Sequence, residues 1–121
     1  VNGRKDIEKV DEKLLPYPSL NEINFSAFGD ISETYHNELY GHIEYMGLFD
    51  QYKQGRTIRP QPYVRLFNDG KTKQVNCTTT EYIRHQIHHP ENKHNPRFSP
   101  EELRESIIEM RKFIKDRPSN P

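Results

Sequence analysis

Four side chains able to move protons or hold phosphate fall within six residues of one another: Arg84, His85, His88 and His89, in the stretch EYIRHQIHHPEN (residues 81–92). Histidine titrates near neutrality, so it can take a proton from an attacking hydroxyl or give one to a leaving oxygen. A guanidinium grips phosphate through paired bonds and stabilises charge as it builds on the oxygens. Together these groups suit RNA cleavage, in which the ribose 2′-hydroxyl attacks the neighbouring phosphorus and neither a metal nor another cofactor is needed. A histidine at a helix C-terminus is favoured in its protonated form, which tilts it towards the acid role. Arg84 and His88 are four residues apart and share a helix face, and so do His85 and His89. Spacing alone therefore leaves His88 and His89 both open as the acid or base.

Other readings compete for the same residues. His85, His88, His89 and His94 lie close together, and the His85/His89 pair has the spacing of two zinc ligands on a helix. No HExxH is present, however, and Glu91 stands beyond Pro90. "HHP" followed by asparagines is similar to the HNH nuclease finger, in which a metal assists phosphodiester cleavage. Alternatively, the histidines only cap a helix beside a proline-containing loop, and the domain binds nucleic acid or a second copy without cutting. Cys77 paired with a nearby histidine would make a nucleophile, although a lone cysteine is more often a small buried hydrophobe. No Gly-rich phosphate loop exists in the chain, so it does not bind ATP in that manner by itself.

Net charge does not point to nucleic acid, because 18 Lys and Arg offset 18 Asp and Glu. The distribution does. Lys53, Arg56, Arg59, Arg65, Lys71 and Lys73 lie in a stretch whose one acid is Asp69, a patch suited to phosphate and hence to an RNA partner.

The elements that must position these groups follow from pattern and capping. Residues 30–54 predict one helix, capped by Asp30 or Ser32 and stopped by Gly55, with Tyr35, Leu39, His42 or Ile43, Met46 and Phe49 on one face. Residues 63–76 predict a hairpin around "NDG". The motif helix starts at a Thr78 or Thr79 cap with Glu81 completing a capping box, and Pro90 ends it near His88 or His89. The last helix has Ser99 as its cap and Pro100 in its first position. Its stripe is Leu103, Ile107, Met110 and Ile114, widened by Ile108 and Phe113. His36, Asn37 and Glu38 offer supporting polar groups from the earlier helix.

Residues 1–22 read as an arm or linker, with a short helix over 4–13. Pro16 and Pro18 break it, and Leu14, Leu15, Tyr17 and Leu20 are its points of packing. Residues 23–117 form one helical domain and 118–121 a tail. The chain begins with Val, which suits a piece of a longer protein. Hydrophobic residues make up 31% against 30% charged, with a mean hydropathy of −1.06. That is a lean core, so a second copy or a further domain is expected to support it. One cysteine and no run of roughly 20 apolar residues point to a cytoplasmic protein outside the membrane.

The run Arg84-His85-Gln86-Ile87-His88-His89, at a helix end before a loop and a final helix, resembles the motif of the HEPN superfamily. That motif is an arginine, a polar residue, three more residues and a histidine. The resemblance covers residues 78–117, with an earlier bundle helix at 30–54. It implies a mostly α (α+β) fold, a HEPN-like helical bundle with a short β-hairpin inserted before the motif helix. It also implies a metal-independent endoribonuclease that works as a dimer. Arg84 would hold phosphate, His89 would act as acid or base, and His85 or His88 would support. The same stretch is similar to segments of bacterial phage-defence proteins that join an ATPase to an accessory domain.

Overall fold

The computed structural model describes residues 13–116, and its described part is mostly helical with one two-stranded hairpin. In chain order the elements are α1 (Leu20–Phe28), α2 (Glu33–Tyr45), α3 (Phe49–Gln54), β1 (Tyr63–Leu66), β2 (Thr72–Val75), α4 (Thr79–His88) and α5 (Pro100–Asp116). The expected α+β fold, mostly helical with a hairpin before the motif helix, is what forms.

Capping chemistry sets most of the helix starts. Ser19 and Ser32 accept from the backbone N–H groups of Glu22 and Tyr35. Thr78 with Glu81, and Ser99 with Glu102, each make the reciprocal pair of a capping box.

Several expectations change. Helix α1 begins inside the stretch read as an arm. Ser19 caps it immediately after Pro18, so the prolines stand outside the helix rather than within it. The other proline-rich contacts are split: Leu15 is buried, while Tyr17 and Leu20 are exposed. The short helix expected over 4–13 lies, but for its last residue, outside the described residues, as does the tail.

The single helix expected over 30–54 is two. Gly47 takes a left-handed φ of 73°. Its N–H donates to the Glu44 carbonyl at 2.9 Å, and the Leu48 N–H donates to the Ile43 carbonyl at 3.1 Å. These are the two bonds of a Schellman stop, which glycine permits without strain and which ends α2 before α3 begins.

The core lies between α2, α4 and α5. Tyr35, Leu39 and Ile43 meet Tyr82 and Ile83 and the stripe of Leu103, Ile107, Met110 and Ile114, all buried. Phe113 packs at the edge of this stripe, but Ile108 is exposed. At 100° per residue it falls on the far side of α5, so it does not widen the stripe.

A chain of buried hydroxyls crosses this core. The Tyr52 hydroxyl is 2.8 Å from Thr80 Oγ1, which is 2.7 Å from Ser106 Oγ, which is 2.7 Å from His36 Nε2. One residue comes from each of α3, α4, α5 and α2, so the four helices are joined by polar as well as apolar contact. Each hydroxyl gains the partner that burial demands. Glu22 does a similar job at the N-terminal side. It is buried, accepts from the Leu14 and Leu15 N–H groups and the Tyr35 hydroxyl, and pairs with Arg111 at 3.5 Å.

Candidate functional site

Helix α4 carries the arginine–histidine cluster, and its two ends are held differently. The capping box fixes its start. At its end His89 leaves the helix at φ −128° and ψ 63°, outside the helical region that Pro90 disfavours for the residue before it. The His89 N–H still donates to the His85 carbonyl at 3.0 Å. His85 and His89 therefore stay stacked on one side of the helix. Tyr82 and Ile83 turn into the core.

The α4–α5 loop is clamped on both flanks. The Tyr82 hydroxyl donates to the Pro96 carbonyl at 2.6 Å, and the Gln86 side chain accepts from the Phe98 N–H at 3.0 Å. On the other flank Asn92 and Asn95 bind the outer edge of β1. The Asn92 amide donates to the Val64 carbonyl at 2.9 Å and to the Tyr63 hydroxyl at 3.1 Å. Val64 also exchanges bonds with Asn95. Asparagine amides thus satisfy a strand edge that would otherwise stand open.

This clamping leaves a cleft of about 400 Å³ between the hairpin, the end of α4 and the loop. Tyr63, Arg65, Phe67, His85, His89 and Glu91 line it, together with Leu66, Asn68, Val75 and Asn92. His85 lies against the Tyr63 ring at a centroid distance of 4.7 Å. Burial is the main force pushing the His85 pKa down, so its ring is neutral at pH 7. His89 Nδ1 is 3.4 Å from Glu91 Oε2, with both side chains more than half exposed. Arg65 sits over the Phe67 ring at 5.0 Å, and among the described residues it has no carboxylate partner. Lys73 is its cross-strand partner and so shares its face of the hairpin.

Arg84 lies elsewhere. Its guanidinium covers the Tyr40 ring at 4.2 Å, and it is not among the cleft-lining residues. Its Nη1 atom is buried without a hydrogen-bond partner among the described residues, as is Nδ1 of neighbouring His36. His88 is exposed; slight burial, and then the charge of Arg84, hold its pKa down. The four motif residues therefore divide by face. His85 and His89 open onto the cleft, while Arg84 and His88 go with α2.

The basic set divides too. Arg59 pairs with Glu102 at 3.0 Å and covers the Tyr82 ring at 3.7 Å. Lys53 pairs with Glu81 at 3.5 Å, and Arg56 covers Tyr52 at 4.3 Å. These three brace helix starts and rings. Arg65, Lys71 and Lys73, on the hairpin, have no ion pair among the described residues. Of the polar trio on α2, His36 is fully buried and Glu38 accepts from Ser19 at 2.7 Å, so neither supports the cleft.

Cys77 is buried, and burial pushes its thiol up to about 11, which removes the thiolate a nucleophile requires. Among the described residues no three His, Cys, Asp or Glu side chains are arranged to hold a metal ion. No described helix is long and apolar enough to cross a membrane.

One participant is missing from the residues that sequence singles out. Glu91 stands beyond Pro90, yet the turn at that proline carries it back to His89. Arg65 belongs to the basic set expected to meet RNA, but its place in the cleft depends on hairpin register. The strict i, i+2 alternation of Tyr63 and Arg65 was the available signal.

No family model matches the chain, and neither does any curated protein or solved structure.

Proposed function

We propose that the protein is a metal-independent endoribonuclease whose reaction takes place in the cleft between the hairpin and the end of α4. The observation that carries the reading is the convergence there of His85, His89 with Glu91, and Arg65. A neutral His85 takes the proton of the ribose 2′-hydroxyl as its oxygen attacks phosphorus. The bond from phosphorus to the 5′-oxygen breaks, His89 Nε2 gives that oxygen its proton, and a 2′,3′-cyclic phosphate remains. Arg65 faces the phosphate and stabilises the charge that builds on it. Glu91 plays the part of a carboxylate that orients a catalytic imidazole. The HEPN-like motif supports the same activity class and the same acid–base histidine, with Arg65 taking the phosphate role in this arrangement.

A second reading rests on a specific observation, the buried Nη1 of Arg84, which has no hydrogen-bond partner among the described residues, with His88 four residues on along the same helix. Here the motif arginine keeps its phosphate role on the α2 side, where a second copy would complete the site.

The test is cleavage of total RNA and tRNA in excess EDTA. The proposal expects activity in the wild type and its loss in His85→Ala, His89→Ala and Arg65→Ala. Loss in Arg84→Ala and His88→Ala, with Arg65→Ala active, would transfer the site to the α2 side. A folded protein that binds RNA in EDTA but cuts none would identify a non-catalytic RNA-binding module.

A further inference from the structure

The hairpin turn brings an aromatic ring and an uncommitted amide to the mouth of the cleft. Phe67 is 39% exposed and neighbouring Leu66 37%, although both border the cleft rather than the core. The turn itself is fixed by its backbone. The Phe67 N–H donates to the Lys71 carbonyl at 2.9 Å, the Gly70 N–H donates to the Phe67 carbonyl at 3.0 Å, and the Lys71 N–H donates to Asp69 Oδ1 at 3.0 Å. Gly70 supplies the left-handed φ of 86° that the turn requires. None of these bonds uses the side chains of Phe67 or Asn68. The Asn68 amide has no hydrogen-bond partner among the described residues, and it lines the same cleft.

Resting on the reading of the cleft as a phosphodiester site, we infer that Phe67 and Asn68 form a nucleobase subsite that selects an unpaired nucleotide of an RNA strand. An aromatic face accepts any base by stacking. A side-chain amide at its rim can donate to and accept from a base edge. Arg65 lies over the Phe67 ring at 5.0 Å and lines the cleft beside His85 and His89, so it adjoins both subsites. The cleft's volume of about 400 Å³ is at the small end of the roughly 300–1,000 Å³ of ligand pockets, which suits one nucleotide and not a duplex. In a duplex the base faces are hidden by stacking, so Phe67 has nothing to engage. Lys73, on the same face as Arg65, and Lys71 beside the turn extend the positive edge past the cleft. That favours a strand with flanking phosphates over a free mononucleotide.

The test is binding of a fluorescent 2′-O-methylated decaribonucleotide, which lacks the attacking hydroxyl and so stays intact, in EDTA at low salt, with four comparisons. These are the single strand against its duplex, an abasic substitution at each position in turn, competition by free nucleoside monophosphates, and the variants Phe67→Ala, Phe67→Tyr and Asn68→Ala. The expected result is that Phe67→Ala weakens single-strand binding at least 10-fold and Phe67→Tyr restores it. One abasic position should weaken the wild type by a similar factor and leave Phe67→Ala unaffected, and the duplex and mononucleotides should bind more weakly. Equal binding by wild type and Phe67→Ala overturns the base subsite while leaving the phosphodiester reading intact. Mononucleotides that bind as tightly as the strand overturn the RNA assignment. A folded wild type that binds none of these probes overturns both readings.

Discussion

Asn95 holds Val64 by both of its backbone groups: the Val64 N–H donates to Asn95 Oδ1 at 2.7 Å, and the Asn95 amide donates back to the Val64 carbonyl at 3.0 Å. A side chain here does what a neighbouring strand would do. It joins the hairpin to the loop that carries His89 and Glu91, and the width of the cleft depends on it.

Asn95→Asp keeps the acceptor but loses the donor, and Asn95→Ala loses both. Each should lower stability by about 1–3 kcal/mol in urea unfolding, the alanine more. Hydrogen exchange at Val64 should rise in the alanine variant, with the amides of the α5 core unchanged. Unchanged exchange at Val64 would show that the clip does not restrain the strand.

His36 makes the fold sensitive to acid. Its ring is fully buried, and burial, with a smaller contribution from the Arg84 charge, takes its pKa from 6.5 to about 3. In the unfolded chain it protonates below 6.5; in the folded chain it stays neutral. The unfolded state therefore binds the extra proton between these values, and stability falls as pH drops through that window. The loss due to His36 should approach about 1.4 kcal/mol per pH unit. Urea midpoints at pH 7.5, 6 and 5 should fall less steeply in His36→Gln than in the wild type. His85 and His88 shift in the same direction, but they are present in both proteins and cancel in the comparison. Parallel slopes would contradict the neutral buried ring.

The basic residues should separate into two functional groups. Arg59→Lys forfeits the paired bonds to Glu102 and the cover over Tyr82, and should lower stability by about 1–3 kcal/mol with little change in RNA affinity. Lys71→Ala and Lys73→Ala should do the reverse. Each is expected to weaken RNA binding uniformly across sequences and to reduce the salt slope by about one. Titrations at several salt concentrations, beside urea curves, distinguish the two sets.

Cys77 should resist modification in the native protein. Its thiol is buried and raised to about 11, so a disulfide reagent at pH 8 should react at the rate of unfolding rather than of a free thiol. Rapid labelling without urea would show the thiol to be accessible.

The elements that sequence made legible share one property: their signals are local. Ser99, Pro100 and the 3–4 spacing of Leu103, Ile107, Met110 and Ile114 define α5 without reference to the rest of the chain. Thr78, Glu81 and Pro90 bracket α4 in the same way. The break at Gly47 was harder to see, because the residues before and after it continue one apolar periodicity and only the Schellman bonds reveal the turn. Helix α1 was obscured by two prolines that stand just outside it. The cleft was the least legible part. His85 and His89 could be placed on one face by counting, but Arg65 and Glu91 join them only through hairpin register and the path of the loop. Arg84, matched by motif, is drawn to Tyr40, a residue more than forty positions away in the sequence.

The hydroxyl chain that ends on His36 also bears on how the protein is made. Ser106 lies seventy residues after His36, and the helix that carries it supplies a whole side of the core. Until that helix leaves the ribosome, His36 and Thr80 lack the Ser106 hydroxyl they share, and Leu39 and Ile43 lack the α5 side of their surroundings. Synthesis at roughly 5–20 residues per second leaves this interval open for several seconds. During it the nascent chain holds exposed apolar side chains and incomplete polar pairs.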